Sequence, residues 1–169
     1  AGAFLEAVAA RYPVLGLKLF DLPAVAARAR GRLAAAGLAV AVTGGDFRRD
    51  PLPEGADALS LVRVVHDHDD ATVRTLLAAA RRALPPGGTL ILAEPMSGTR
   101  GAGPIGEAYF GLYLLAMGRG RPRTAARLAE MLTEAGFVAP RLVRTPTPLL
   151  VRVLVARSPG PPGTSVNHA

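Results

Sequence analysis

The chain of 169 residues has no cysteine and no tryptophan, three histidines, and only eight other aromatic residues, three tyrosines and five phenylalanines. Without cysteine, neither a disulfide framework nor a thiolate metal site is available. Although half the residues are hydrophobic, no run approaches the roughly 20 apolar residues of a membrane span. The opening does not read as a signal peptide either, and no internal repeat is visible. Lysine is nearly absent: Lys18 stands alone, and arginine supplies the rest of a formal charge of +7. That bias, with abundant alanine, glycine and proline, is the usual mark of a GC-rich coding sequence. The arginines are scattered over helices and only "GRGRPR", residues 118–123, is dense. A nucleic-acid surface needs basic residues clustered on one face, so no nucleic-acid partner is expected.

What is present is a regular alternation of apolar patterns. Residues 4–12 have helical spacing and Pro13 stops them; "LGLKLF" is a short strand ending at Asp21; Pro23 suits the first turn of a helix closed by Gly37. "LAVAVTGGDF" and "ADALSLVRVV" read as strands, residues 70–84 as a helix, and "TLILAEP" as the next strand. Helices follow at residues 105–117 and 124–135, then the strands "RLVRTPT" and "LLVRVLVAR". The tail, residues 158–169, has no apolar periodicity and is expected to be disordered. Strands separated by helices imply an α/β fold with a mostly parallel sheet, right-handed crossovers and helices on both faces. The last two strands lack a helix between them and should form an antiparallel hairpin at one edge.

Ligands of such sheets bind beyond the carboxyl ends of the strands. Asp21, Asp46, His66 and Glu94 each fall there, so four polar groups from separate segments are expected on one rim. Asp21 suits the vicinal hydroxyls of a ribose, or equally the N-cap of the following helix. In "GGDF" Asp46 could accept from an exocyclic amine while Phe47 packs on a purine; an ordinary Gly-Asp turn is the competing reading. The stretch "LVRVVHDHDD" places His66 and His68 after a strand. Histidine titrates near neutrality, which makes His66 a candidate general base, with Asp67, Asp69 or Glu94 as orienting partner. The same acids could simply favour a helix start, and no further histidine lies near enough to suggest metal. His68 reads as a bystander or rim residue. Glu94, after four apolar residues, is costly to bury unless paired. Tyr109, Phe110, Tyr113 and Met117 share one helix, as core packing or as the wall of an apolar pocket.

Together "AGAF", "FDLP", "GDF", "RVVHDHDD", "LPPGGTLILAEP" and "LTEAGF" resemble, in order and spacing up to Arg157, the S-adenosylmethionine-dependent O-methyltransferases of the acetylserotonin, caffeate and polyketide class. The stretch "EAYFGLYLLAMGRGRPRTAARLAEMLTEAGF" is similar to the carotenoid hydroxyneurosporene (demethylspheroidene) O-methyltransferases of phototrophic bacteria. The resemblance implies a Rossmann-like class I methyltransferase domain over residues 1–157. It assigns Gly2 to the end of the cofactor loop, Asp21 with Leu22 to the ribose, Asp46 and Phe47 to the adenine end, and Arg63 to the methionyl or ribose side. His66 would take the proton of the substrate hydroxyl, with Asp67 beside it and Glu94 orienting it. The acceptor would be a small hydrophobic hydroxylated molecule, a phenol, polyketide or carotenoid. Two departures stand out: the usual "HDW" is "HDH" here, and Pro122 occupies the place of a second glutamate found in some relatives.

The opening "AGAF", helical almost at once, reads as a fragment cut in mid-motif, with the first strand missing. The expectation is therefore that the full-length protein is a homodimer through an upstream region and that these residues alone are inactive. Cytoplasmic placement is expected, membrane-peripheral if the acceptor is a carotenoid. Two rival readings are a nicotinamide-dependent oxidoreductase, for which no Tyr/Lys hydride-site pair is found, and a decayed binding module, against which His66 and Glu94 both stand.

Overall fold

The computed structural model describes residues 2–99 and 120–160. The expected helix at 105–117, with Tyr109, Phe110, Tyr113 and Met117, and the tail from residue 161 lie outside them. The chain divides into two compact units, residues 1–54 and 55–169.

In the first unit, α1 (Ala3–Arg11) is followed by β1 (Leu17–Asp21), α2 (Pro23–Ala35) and β2 (Val40–Gly44). The two strands pair in parallel from Leu17 opposite Val40 to Asp21 opposite Gly44. Alanines make α2 slim on one side: Ala26, Ala29 and Leu33 are buried there at helical spacing. Arg32 reaches from α2 to grip Glu6 of α1 with two hydrogen bonds of 2.6 and 2.7 Å.

The second unit contains β3 (Ala58–Val62), a single 3-10 turn (Val65–Asp67), α3 (Asp70–Ala83), β4 (Thr89–Glu94), α4 (Ala125–Glu134), β5 (Val138–Val143) and β6 (Arg152–Arg157). Its sheet runs β3-β4-β6-β5. β3 and β4 are parallel, whereas β6 is antiparallel to both β4 and β5. The hairpin therefore lies at one edge, as expected, with its second strand on the inside. Val73, Leu76, Leu77, Ala80 and Ala83 give α3 a continuous apolar stripe, and Leu128, Met131 and Leu132 do the same for α4. With Leu90, Leu92 and Phe137 they form the core. Both helices start on side-chain caps, Asp69 accepting from the Thr72 amide and Thr124 from that of Arg127.

The boundaries of β3 and β5 depart most clearly from the sequence expectation, and β6 starts at Arg152 and not at Leu149. β3 stops at Val62 and does not run to Val65, because Arg63 turns into the left-handed region at φ 54°. β5 begins at Val138, ahead of the expected "RLVRTPT", through a bulge that absorbs Ala139 (φ 50°) and Pro140. Ser158, assigned to the tail, is buried and exchanges two backbone hydrogen bonds with Gly87 and Gly88.

Candidate active site

The site grows from the abrupt end of β3. The Arg63 amide makes the last bond to β4, donating to the Ala93 carbonyl at 2.9 Å. The next two amides, of Val64 and Val65, have no strand to meet. Both donate to Oε1 of Glu94, the last residue of β4, at 2.8 Å each. A buried carboxylate thus completes the pairing that the backbone leaves unmade. Its second oxygen, Oε2, meets Nδ1 of His66 at 2.7 Å. Glu94 is 1% exposed and His66 6%, so water contributes little to either.

This geometry decides the imidazole's chemistry. Of the two carboxylates beside the ring, Glu94 is the closer, and its contact favours the proton on Nδ1, which in the neutral ring leaves Nε2 as the acceptor. Nε2 lies 3.2 Å from Oδ1 of Asp67. A proton arriving at Nε2 would create an imidazolium between two carboxylates. Asp69, the third partner considered from the sequence, is turned toward the start of α3. The stretch "HDHDD" divides: His66 and Asp67 form the turn, Asp69 caps the helix and Asp70 begins it.

Nothing in the sequence marks out Arg123 by itself. Its side chain is 4% exposed and binds Asp70 and the carbonyls of Val65 and His68. The one available signal was the dense "GRGRPR", which pointed to surface charge and not to a buried guanidinium.

The remaining candidates lie in the first unit. Asp21 ends β1, and its Oδ1 accepts from the Leu22 amide at 2.8 Å; Leu22, not Asp21, is the N-cap of α2. Among the described residues nothing donates to Oδ2 of Asp21, so an acceptor remains for a diol. Gly45 has no room for a side chain, since a Cβ would come within 2.6 Å of the Phe20 ring. Asp46 follows in a tight turn whose carboxylate is held by Arg48 through its amide, Nε and Nη2. Phe47 is half-buried. Gly2 caps α1 at φ 86°, against Leu33. The structure thus brings His66, Asp67 and Glu94 together with Arg63 nearby in the chain, and separately sets Asp21, Leu22, Asp46 and Phe47 at the ends of β1 and β2. Among the described residues no cluster of three His, Cys, Asp or Glu could hold a metal ion, and no helix is long and apolar enough to cross a membrane.

The Arg48 hydrogen bonds hold the Asp46 carboxyl down to about 2. A depressed acid contributes stability that is present above the unfolded value, near 3.9, and lost as pH falls through the folded one. Thermal unfolding between pH 5 and 2 should therefore show the native chain losing stability faster than Asp46→Asn, with no such divergence above pH 5.

An α/β fold with parallel strands and an antiparallel final strand defines a class. The fold is that of the class I S-adenosylmethionine-dependent methyltransferases: human N-acetylserotonin methyltransferase in complex with SAM superposes with a TM-score of 0.82 at 29% identity, over 95% of this chain and 45% of that one. The mitomycin 7-O-methyltransferase MmcR gives 0.83 at 28% identity, over 92% and 46%. The O-methyltransferase domain family matches residues 1–138, and the chain belongs to that family. It is similar to the demethylspheroidene O-methyltransferase of Cereibacter sphaeroides, 56% identical over 140 residues, which are 80% of this chain and 36% of that protein. The enzyme of the same name from Rhodobacter capsulatus is 44% identical over 158 residues, 92% and 38% respectively. The chain spans well under half the length of these relatives.

Proposed function

We propose that this chain is the cofactor-binding and catalytic part of an O-methyltransferase that methylates the hydroxyl of a small hydrophobic acceptor, a hydroxylated carotenoid, using S-adenosylmethionine. The observation that carries the reading is the Nδ1 contact of His66 with Glu94, which leaves Nε2 as the basic atom at a strand end. The carotenoid assignment is supported by the names of the two bacterial relatives, to which identity is higher than to the naphthoate or acetylserotonin enzymes. When bound, S-adenosylmethionine would supply an electrophilic methyl group on a sulfonium, with neutral S-adenosylhomocysteine as the leaving group.

The chain's own residues do the rest. His66 accepts the hydroxyl proton at Nε2, because a neutral alcohol is a poor nucleophile. Glu94 keeps the proton on Nδ1, and Asp67 stands beside the cation that forms. Asp21 accepts from the ribose hydroxyls with Leu22 alongside, and Phe47 offers a ring to the adenine. Asp46 would share its carboxylate with Arg48 in accepting the adenine amine. Arg63 lies on the methionyl or ribose side, and Gly2 at the cofactor loop. Tyr109, Phe110, Tyr113 and Met117 belong to the proposed acceptor pocket, and homodimerisation of the full-length protein is part of the same proposal.

Calorimetry on the full-length protein tests the cofactor. It should retain S-adenosylhomocysteine and not NAD; the reverse would replace this reading by the oxidoreductase one. Asp21→Asn should weaken S-adenosylhomocysteine about 10- to 100-fold, the worth of ~1.5–3 kcal/mol for hydrogen bonds to a charged group. Turnover of a hydroxylated polyene against a phenol then decides the acceptor.

A further inference from the structure

We propose that Arg123 is a positioning residue for His66, acting with Asp70 to fix the turn that presents the imidazole. This rests on the reading of His66 as the base. The turn of residues 65–67 is a single 3-10 helix whose own bonds are long, 3.3 Å from the Asp67 amide to the Val64 carbonyl and 3.3 Å from the His68 amide to the Val65 carbonyl. Such a turn is poorly self-supporting. It is held instead from two sides. Glu94 takes its amides and the imidazole, as described. The segment at Arg121 and Arg123 takes its carbonyls: Nη1 of Arg123 donates to Val65 at 3.0 Å, the Arg121 amide to His66 at 3.1 Å, and Nη2 of Arg123 to His68 at 2.8 Å.

Arg123 is itself fixed. Nε and Nη2 both donate to Oδ1 of Asp70, at 2.9 and 2.7 Å, and Nη1 also reaches the Arg121 carbonyl at 3.3 Å. The planar fork is thereby set in one orientation, with donors to spare for carbonyls on both sides of the histidine. The Arg123 hydrogen bond holds the Asp70 carboxyl below its ordinary range, with Arg127 3.8 Å away adding to it. Lysine, a point donor, could keep one of these contacts but not the whole set.

A residue that only stabilises the fold would change melting and leave the chemistry per folded molecule intact. The test therefore measures kcat, cofactor KM and the imidazole ¹⁵N spectrum of full-length protein carrying Arg123→Met, Arg123→Lys or Asp70→Asn, with His66→Ala as reference. Arg123→Met is expected to lower kcat about 10- to 100-fold, the cost of a small misplacement of a catalytic group, with cofactor KM within about twofold. The His66 signal should lose its single Nδ1–H tautomer, and Arg123→Lys should recover part of both losses. Should Arg123→Met fail to fold, Asp70→Asn, which leaves both carbonyl contacts in place, is expected to give a smaller loss of kcat with a broadened His66 signal. Native kcat and a single tautomer in Arg123→Lys and Asp70→Asn would overturn the proposal. So would native values in a folded Arg123→Met while His66→Ala is inactive. An active His66→Ala would instead refute the base assignment on which the proposal rests.

Discussion

Replacing His66 by alanine is expected to lower kcat by about 10²- to 10⁴-fold, the usual contribution of a positioned general base, while S-adenosylhomocysteine binds with near-native affinity. The separation follows from the elements that carry the groups. Nε2 of His66 is the atom assigned to the substrate proton, whereas the acids and ring assigned to the cofactor belong to β1, β2 and the turns after them. Truncation also removes one of the three donors from Glu94, but the two backbone amides remain, so the carboxylate is not stranded. Stopped assays with saturating cofactor and calorimetry on the same preparation check both halves of the expectation. If affinity for S-adenosylhomocysteine collapsed along with turnover, His66 would be a cofactor-site or folding residue and the base would have to be sought elsewhere. His66→Gln, closer in volume, should be equally slow, because an amide cannot accept a proton at neutral pH.

Much of this was legible in the sequence because the signals were local. Pro23 and Gly37 bracket a helix, Asp69 caps another, and the alternation of strands with helices fixes the class of sheet. The carboxyl-end rule places Asp21, Asp46, His66 and Glu94 at or past strand ends, and there they lie: Asp21 and Glu94 end β1 and β4, while Asp46 and His66 follow β2 and β3. What could not be read is long-range. Val64 and Val65 favour extended backbone and extended the expected strand, yet their amides are taken by a glutamate 30 and 29 positions on. The strand expected from Arg141 starts at Val138, and the bulge that admits Ala139 and Pro140 has no local signature. Arg123 meets Asp70 across 53 positions, and in sequence it was one arginine among many. Asp46 shows the opposite case, where a competing reading visible in the sequence, an ordinary turn, does describe the bonds its side chain makes.

Glu94→Gln should be the more informative of two changes at that residue. Glu94 accepts two backbone amides on Oε1 and the imidazole on Oε2. In glutamine the oxygen must face Val64 and Val65, since placing the NH₂ group against two N–H donors would leave all of them buried and unpaired. The NH₂ group then faces His66 and requires Nδ1 to be an acceptor, which moves the ring proton to Nε2. The fold is kept, but the atom assigned to the substrate now carries a proton and cannot take another. A loss of about 10²- to 10⁴-fold in kcat is expected, with the imidazole ¹⁵N shifts showing the exchanged tautomer. Glu94→Ala is different in kind, because it strands three donors at the end of β3. At ~1–3 kcal/mol for each buried unsatisfied group, it should destabilise the second unit by at least ~3 kcal/mol, read as faster hydrogen exchange at Val64 and Val65. A Glu94→Gln protein with native turnover would show that the protonation of Nδ1 is irrelevant to the reaction, and with it that His66 does not act as a base through Nε2.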